Sequence, residues 1–325
     1  MLIEPNSHYN YERWKPKDDV MSEECGVFGI YMDDHHYDPA EAIYLGLYAL
    51  QHRGQESAGI AVTDGKGVKF HKGMGLCSEV FKDNLDTLLG GHIGIGHVRY
   101  STTGDSKEGN AQPLVMSYRG GQLALAHNGN LINSTMLREK MEDEGTIFQT
   151  NIDTEVMANL IARHSKHGML KAITAMMKVV RGSYALVIMT HDELIAVRDP
   201  LGIRPLALGK LDNSYVVASE SCAFDAIDAE FVRDVRPGEI IVINKDGLRS
   251  YQACSSLDTA LCVFVYVFFA RPDSDIDGIS VYRSRENMGI KLAQAFPIDA
   301  DLVSDVPDSA TPAASGYAAE SGIPY

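Results

Sequence analysis

One cysteine divides this chain. The 24 residues before Cys25 (MLIEPNSHYNYERWKPKDDVMSEE) show neither a helical nor a strand period and carry the only tryptophan, Trp14. From Cys25-Gly26-Val27-Phe28-Gly29-Ile30 onward, short apolar runs alternate with polar, glycine-bearing clusters. Residues 1–24 are therefore expected to be a leader, and the folded chain is expected to begin with Cys25 at the head of a strand.

The order of elements after Cys25 constrains the architecture. Apolar runs predict a strand at 27–31, a helix at 39–50 with Pro39 in its first turn, and strands at 59–62, 68–71, 93–98 and 123–126. Helical spacing follows at 133–144, with Asn133, Ser134 and Thr135 available as a cap, then at 153–166 and 169–180. Strands return at 185–189, 193–197, 215–218 and 239–243, separated by glycine and Asp-Pro turns. Strands, then helices, then strands predict an α+β fold of stacked sheets with segregated helices. A Ser-rich polar stretch at 250–259 marks a boundary, in keeping with the two domains expected of 325 residues. Beyond it lie a strand at 263–269, a loop at 271–278, a helix at 282–295 and a strand starting at Leu302 that runs into a polar turn.

Composition removes several functions. Lys and Arg number 29 against 44 Asp and Glu, a formal net charge of −15, which argues against non-specific nucleic-acid binding. Phosphate ligands remain open, since backbone N–H groups and a few local cations can hold them. The five cysteines have no short spacing and so describe a reduced, cytoplasmic protein rather than a disulfide framework. The longest apolar run, 263–270, is far short of the ~20 residues of a membrane helix. His35-His36, His164 and His167 lack the company of a metal site and read as surface residues.

The polar clusters supply the parts for cleaving a carboxamide. Cys25, once its preceding residue is removed, carries a thiol and a free α-amine on one residue, so the amine can act as base for its own nucleophile. Free thiols titrate near ~8.5 and α-amines near ~8, so proton exchange between them costs little. In His127-Asn128-Gly129-Asn130, Asn128 can offer a side-chain N–H and Gly129 a backbone N–H to an oxyanion, donors worth ~3 kcal/mol each. The alternative for this cluster, placed after the 123–126 strand, is a hairpin turn. Arg99 can pair bidentately with an α-carboxylate, or else form a surface ion pair. Asp153 can take an α-ammonium, or else cap the following helix. Arg53 and Gly54, in the polar run 51–59, can line the pocket, or else belong to a charged loop. Cys25 itself could simply be a buried strand cysteine.

Taken together, ECGVFGIY, LQHRGQESAGI, GIGHVRYSTTG, LALAHNGNLIN, FQTNIDTE and RDPLGIRPLALG resemble the N-terminal-nucleophile class II glutamine amidotransferases. With VASESCAFD, VRPGEI, FFARPDSDIDG and DADLVSDVPDSATPAA, the chain more narrowly resembles the amidophosphoribosyltransferase family from Glu24 almost to its end. The resemblance implies a four-layer α-β-β-α glutaminase domain at 25–255, a leader at 1–24 that is removed, and the start of an α/β phosphoribosyltransferase domain at 256–325.

It also implies roles. Cys25 would be the nucleophile and Asn128 with Gly129 the oxyanion hole. Arg99 and Asp153 would hold glutamine, with Thr102, Arg53 and Gly54 beside them. The implied reaction transfers ammonia from glutamine to phosphoribosyl pyrophosphate and yields 5-phosphoribosylamine, glutamate and pyrophosphate, opening de novo purine synthesis. Mg²⁺, a homo-oligomer and, in one branch, a 4Fe–4S cluster accompany that family, and Cys262 falls where one cluster ligand lies. The family pattern continues past Tyr325 with the phosphoribosyl pyrophosphate loop and further cysteines. The chain therefore reads as C-terminally truncated, and two other readings stand beside the full reaction: a glutaminase half alone, or a non-catalytic remnant.

Overall fold

The computed structural model describes residues 25–33, 37–100, 107–254 and 259–325. The expected leader, His35-His36, Thr102 and most of the expected boundary at 255/256 lie outside the described residues.

The strands, in chain order, are β1 (Gly26–Tyr31), β2 (Ser57–Thr63), β3 (Val68–Met74), β4 (Ile93–Arg99), β5 (Leu114–Tyr118), β6 (Gly121–Leu131), β7 (Gly182–Met189), β8 (Leu194–Arg198), β9 (Ala207–Leu211), β10 (Ser214–Ala218), β11 (Glu230–Asp234), β12 (Glu239–Asn244) and β13 (Gly247–Gln252). A two-residue hairpin, β14 (Asp275–Ile276) with β15 (Ile279–Ser280), follows. The helices are α1 (Pro39–Ala49), α2 (Cys77–Val80), α3 (Ser134–Asp143), α4 (Asp153–His164), α5 (Met169–Val179), α6 (Cys222–Asp225), α7 (Val281–Ala295) and α8 (Thr311–Ser321). Two antiparallel sheets result, β11-β9-β10-β1-β4-β2-β3 and β13-β12-β8-β7-β6-β5.

Strand alternation distributes side chains into layers. From β1, Phe28 and Ile30 point outward to a core shared with Ile43 and Leu47 of α1 and with α2 and α6. From the same strand, Val27 and Tyr31 point inward. From β6, Leu123 and Leu125 join α3, α4 and α5 on the far side, while Ala124 and Ala126 point inward. Three cores between four layers give the α-β-β-α sandwich within an α+β fold.

Where the two sheets approach most closely, the inner layer uses small residues. Ala61, Ala124, Ala126, Ala185 and Ala196 line it, and a Cβ on Gly29 would lie 2.6 Å from the side chain of Val187 on the opposite sheet. Outside, α1 begins where Asp38 accepts from the Ala40 N–H at 2.9 Å with Pro39 next, and it lies close on β1 because Gly46 faces the Phe28 ring. After the sandwich, α7 and α8 cross at glycines. A Cβ on Gly289 would meet the Ala313 carbonyl at 1.9 Å, and one on Gly316 the Glu286 carbonyl at 2.2 Å.

Several sequence expectations need correction. The expected strand at 263–269 is a turn of π-helix, Val265–Phe269, with Val265 and Tyr266 buried and Phe268 exposed. The run is β-branched and aromatic, but it pairs with no strand among the described residues, so its backbone closes on itself instead: Ala270 N–H donates to Val265 at 3.0 Å. Residues from Leu302 form no strand; Val303 finds the Pro324 carbonyl, and α8 follows. Asn133 sits at the N-cap of α3 without capping it, because its amide bonds Arg181 N and Val179 O. The strands β5, β11 and β13 lie at sheet edges, where polar outward residues such as Glu230 and Arg249 blur the apolar alternation.

Replacing Gly46 with Ala adds helix propensity yet drives a methyl to 2.4 Å from the fully buried Phe28 ring. Overpacking of about 1–3 kcal/mol is expected to outweigh the ~1 kcal/mol propensity gain, which urea denaturation of Gly46→Ala would register as a lowered midpoint.

Candidate active site

Cys25 immediately precedes β1, which is flanked by β10 and β4. Its side chain is buried, and its Sγ lies 3.6 Å from the Tyr100 carbonyl just past the end of β4. Its carbonyl accepts from Arg53 Nε at 3.0 Å. Arg53 ends the short 3₁₀ turn Gln51–Arg53 after α1, so the helix that covers β1 also delivers the group that holds the first residue of the strand.

Gly54 follows in extended conformation, and its lack of a side chain is a steric requirement. A Cβ there would stand 2.7 Å from the backbone N and C of Arg99. Arg99 is itself buried and pairs with Glu56 Oε1 at 2.8 Å, so it is not a surface ion pair. Gly26 pairs with Val98 in register, which puts Cys25 and Arg99 side by side at one end of the sheet.

Asn128 and Gly129 lie inside β6, not in a turn beyond it. Asn128 pairs with Ala185 and Gly129 with Tyr184 of β7, which rules out the hairpin reading. Only glycine permits this continuation, since Gly129 has φ +143° and a Cβ would fall 2.1 Å from the Ser183 carbonyl. Asn128 is fully buried, and neither atom of its side-chain amide has a hydrogen-bond partner among the described residues. An unpaired buried amide costs about 1–3 kcal/mol, so a fold retains one where a ligand supplies the missing partner.

Asp153 is the first residue of α4, and its Oδ2 accepts from Leu131 N at 2.9 Å, at the end of the strand that carries Asn128. Its Oδ1 faces His127 Nδ1 at 3.5 Å. Burial pushes the Asp153 carboxyl up, but the His127 ring and the Leu131 and Thr154 N–H groups win and hold it below its ordinary value of 3.8. Glu155, also buried, accepts from Gln149 N, Thr150 N and Thr150 Oγ1 at 2.6–2.8 Å and so ties down the loop leading to Asp153.

The two halves meet through a pair of histidines that sequence reasoning missed. His97 of β4 bonds the His127 carbonyl of β6 at 3.0 Å across the sandwich. Since a carbonyl only accepts, Nε2 carries the proton. Burial pushes His97 down to about 3, so the ring stays neutral. Asn128 is one residue beyond this bridge and Arg99 two residues beyond it. Polar residues inside otherwise apolar strands, at 97 and 127, were the signal available in the sequence.

Cys262 is half-buried beside the Val265–Phe269 turn. A 4Fe–4S cluster needs four thiolates. Among the described residues, no group of three or more His, Cys, Asp or Glu that could hold a metal gathers around it.

Because Asp153 has a lowered folded-state pKa, its ionised form stabilises the fold above 3.8, and that contribution is lost as pH falls through the folded value. Asp153→Asn is therefore expected to be destabilised at pH 7, with the gap to the parent protein narrowing once pH drops below about 4, which urea titrations at the two pH values would measure.

A model described as a glutamine amidotransferase domain matches residues 97–226. The chain is 47% identical over 306 residues to the amidophosphoribosyltransferase of Bacillus subtilis, spanning 94% of this chain and 64% of that protein. It is 46% identical to the amidophosphoribosyltransferase of Methanocaldococcus jannaschii, spanning 93% of this chain and 67% of that one. The solved B. subtilis glutamine phosphoribosylpyrophosphate amidotransferase, complexed with ADP and GMP, superposes with a TM-score of 0.88 at 46% identity, covering 93% of this chain and 65% of that one. The chain thus spans about two thirds of the length of these relatives. With agreement this high over nearly all its residues, it belongs to the amidophosphoribosyltransferase family, as a glutaminase sandwich followed by the start of a phosphoribosyltransferase-like unit.

Proposed function

We propose that this chain carries the glutamine-cleaving site of an enzyme that aminates phosphoribosyl pyrophosphate. The observation that carries the reading is Asn128: a fully buried amide with both polar atoms unpaired among the described residues, next to a glycine whose conformation opens the backbone. In the mature form, whose boundary we take as 24/25, the Cys25 α-amine accepts the thiol proton. The thiolate attacks the glutamine amide carbon, and the oxyanion is met by the Asn128 amide and the Gly129 N–H. The C–N bond breaks, ammonia leaves with the transferred proton, and water hydrolyses the γ-glutamyl thioester to glutamate. Arg99 pairs with the substrate α-carboxylate and Asp153 with its α-ammonium. Arg53 and Gly54 shape the wall from behind, and the family resemblance gives Thr102 a part in binding glutamine.

Ammonia then forms a bond to the ribose carbon of phosphoribosyl pyrophosphate, displacing pyrophosphate and losing a proton, to give 5-phosphoribosylamine. That half-reaction belongs to the unit beginning near residue 256, as the family names imply. A cytoplasmic homo-oligomer is the setting that suits such chemistry. Among the described residues, no helix is long and apolar enough to cross a membrane. Mg²⁺ accompanies the family reaction.

Two outcomes test this. Intact mass should show a mature species beginning at Cys25, and that species should release ammonia from glutamine while Cys25→Ala does not; equal release by both would remove Cys25 from the reaction. Asn128→Ala should lower kcat by roughly 10²–10³-fold with KM little changed. Its melting temperature should hold or rise, because a buried unpaired amide is removed.

A further inference from the structure

Glu220 takes part in no step of amide cleavage, yet it is built into the support of Cys25. It lies fully buried between β10 and α6, and its two oxygens face different parts of the molecule. Oε1 accepts from Arg53 and, at 3.0 Å, lies against His52 Nε2. Oε2 accepts from Arg271 N at 2.9 Å and Ser274 Oγ at 2.8 Å, with Cys222 Sγ 3.7 Å away. Burial alone would push this carboxyl up, but Arg53 first, then His52, hold it well below the usual carboxylate range.

Arg53 in turn donates to the Cys25 carbonyl. A continuous path therefore runs from the backbone of Cys25 through one guanidinium and one carboxylate to the hydroxyl of Ser274. The segment that carries Ser274 is docked on the sandwich at neighbouring points as well. Asp275 N donates to Ser221 Oγ at 2.9 Å, and Arg198, buried at the end of β8, grips Asp277 with two bonds of 2.8 Å.

A carboxylate that served only to neutralise Arg53 would need one oxygen. Here the second oxygen is spent wholly on residues 271–274 and their neighbour Cys222. A buried carboxylate cannot lose either set of partners without cost, so a change on one side re-aims the other. The terminal residue of a mature chain is also tethered on one side only, which makes the Arg53 bond to its carbonyl a main determinant of how its amine and thiol point.

We propose that Glu220 is a positioning residue that makes the reactivity of Cys25 depend on the seating of residues 271–274. The inference rests on the reading of Cys25 as nucleophile. Misplacement of a reacting group through a remote change can cost up to ~10²-fold in rate.

The experiment compares the mature parent chain with Ser274→Ala, Glu220→Gln and Cys25→Ala. Glutamine hydrolysis (kcat and KM) and the rate of Cys25 alkylation by iodoacetamide are measured on each, with melting temperature as the control. Ser274 donates to Glu220 Oε2 while Arg53 meets Oε1, so Ser274→Ala removes one hydroxyl from the oxygen that faces away from Arg53. Ser274→Ala is expected to lower kcat about three- to tenfold and to slow alkylation in parallel, with KM within about twofold. Glu220→Gln should lower kcat by more than about tenfold. Parent-like kcat and alkylation in a folded Ser274→Ala would overturn the coupling, even if Glu220→Gln were inactive or failed to fold. Hydrolysis that survives in Cys25→Ala would instead overturn the nucleophile reading beneath it.

Discussion

The hydrogen bond from His97 to the His127 carbonyl is the constraint on which the site depends. It crosses an inner layer made mostly of alanine and aliphatic side chains, which offer its two polar groups few alternative partners. A polar bond in such surroundings has one satisfactory geometry, because breaking it strands a carbonyl and an imidazole away from water. It fixes the sheet bearing Cys25 and Arg99 against the sheet bearing Asn128. The low pKa of His97 matters here, since a ring that gained a proton near neutrality would change its bonding with pH.

Around that pin, buried carboxylates turn loops into supports. Asp153, Glu155, Asp199 and Glu220 are all buried, and each is met by backbone N–H groups, by a cation, or by both. The partners decide the electrostatics. Asp199 receives the N–H groups of Leu201, Ile203, Arg204 and Tyr184 and, among the described residues, no directly bonded cation, and burial still pushes its carboxyl up. Glu220 has Arg53 against it, and its carboxyl goes down. The run Arg198-Asp199-Pro200-Leu201-Gly202 thereby acquires a mechanical meaning: Asp199 ties its own loop, and Arg198 holds Asp277 in the segment beyond the sandwich.

Much of the sandwich was legible in the letters. Buried strands such as β1, β4, β7 and β12 read as near-continuous apolar runs, and α1 announced itself through Asp38 and Pro39. Of the four edge strands, β3 was legible but β5, β11 and β13 were not, because one side of an edge meets water and its residues follow solvent rather than the core; the interior strand β9 was also missed. The 263–269 run misled for the opposite reason. Its β-branched and aromatic residues suit a strand, but strand propensity has no consequence without a neighbour to pair with. Asn128-Gly129 misled more instructively: the same dipeptide makes hairpin turns, and only the presence of β7 alongside keeps it extended.

By itself the sequence determined the chemistry available: a cysteine able to lead a mature chain, an amide beside a glycine, an arginine and an aspartate able to hold an amino acid's two charges. These are properties of side chains and need no partner to exist. Only the tertiary structure decided how they act. It left the Asn128 amide unpaired among the described residues, bent the fate of Asp153 from helix cap to strand-end acceptor, and recruited Glu220, whose partners lie far away in the chain. The physical reason is that hydrogen bonding and desolvation are set by what chain folding brings alongside, often from more than a hundred residues away, and no spacing within a single run encodes that.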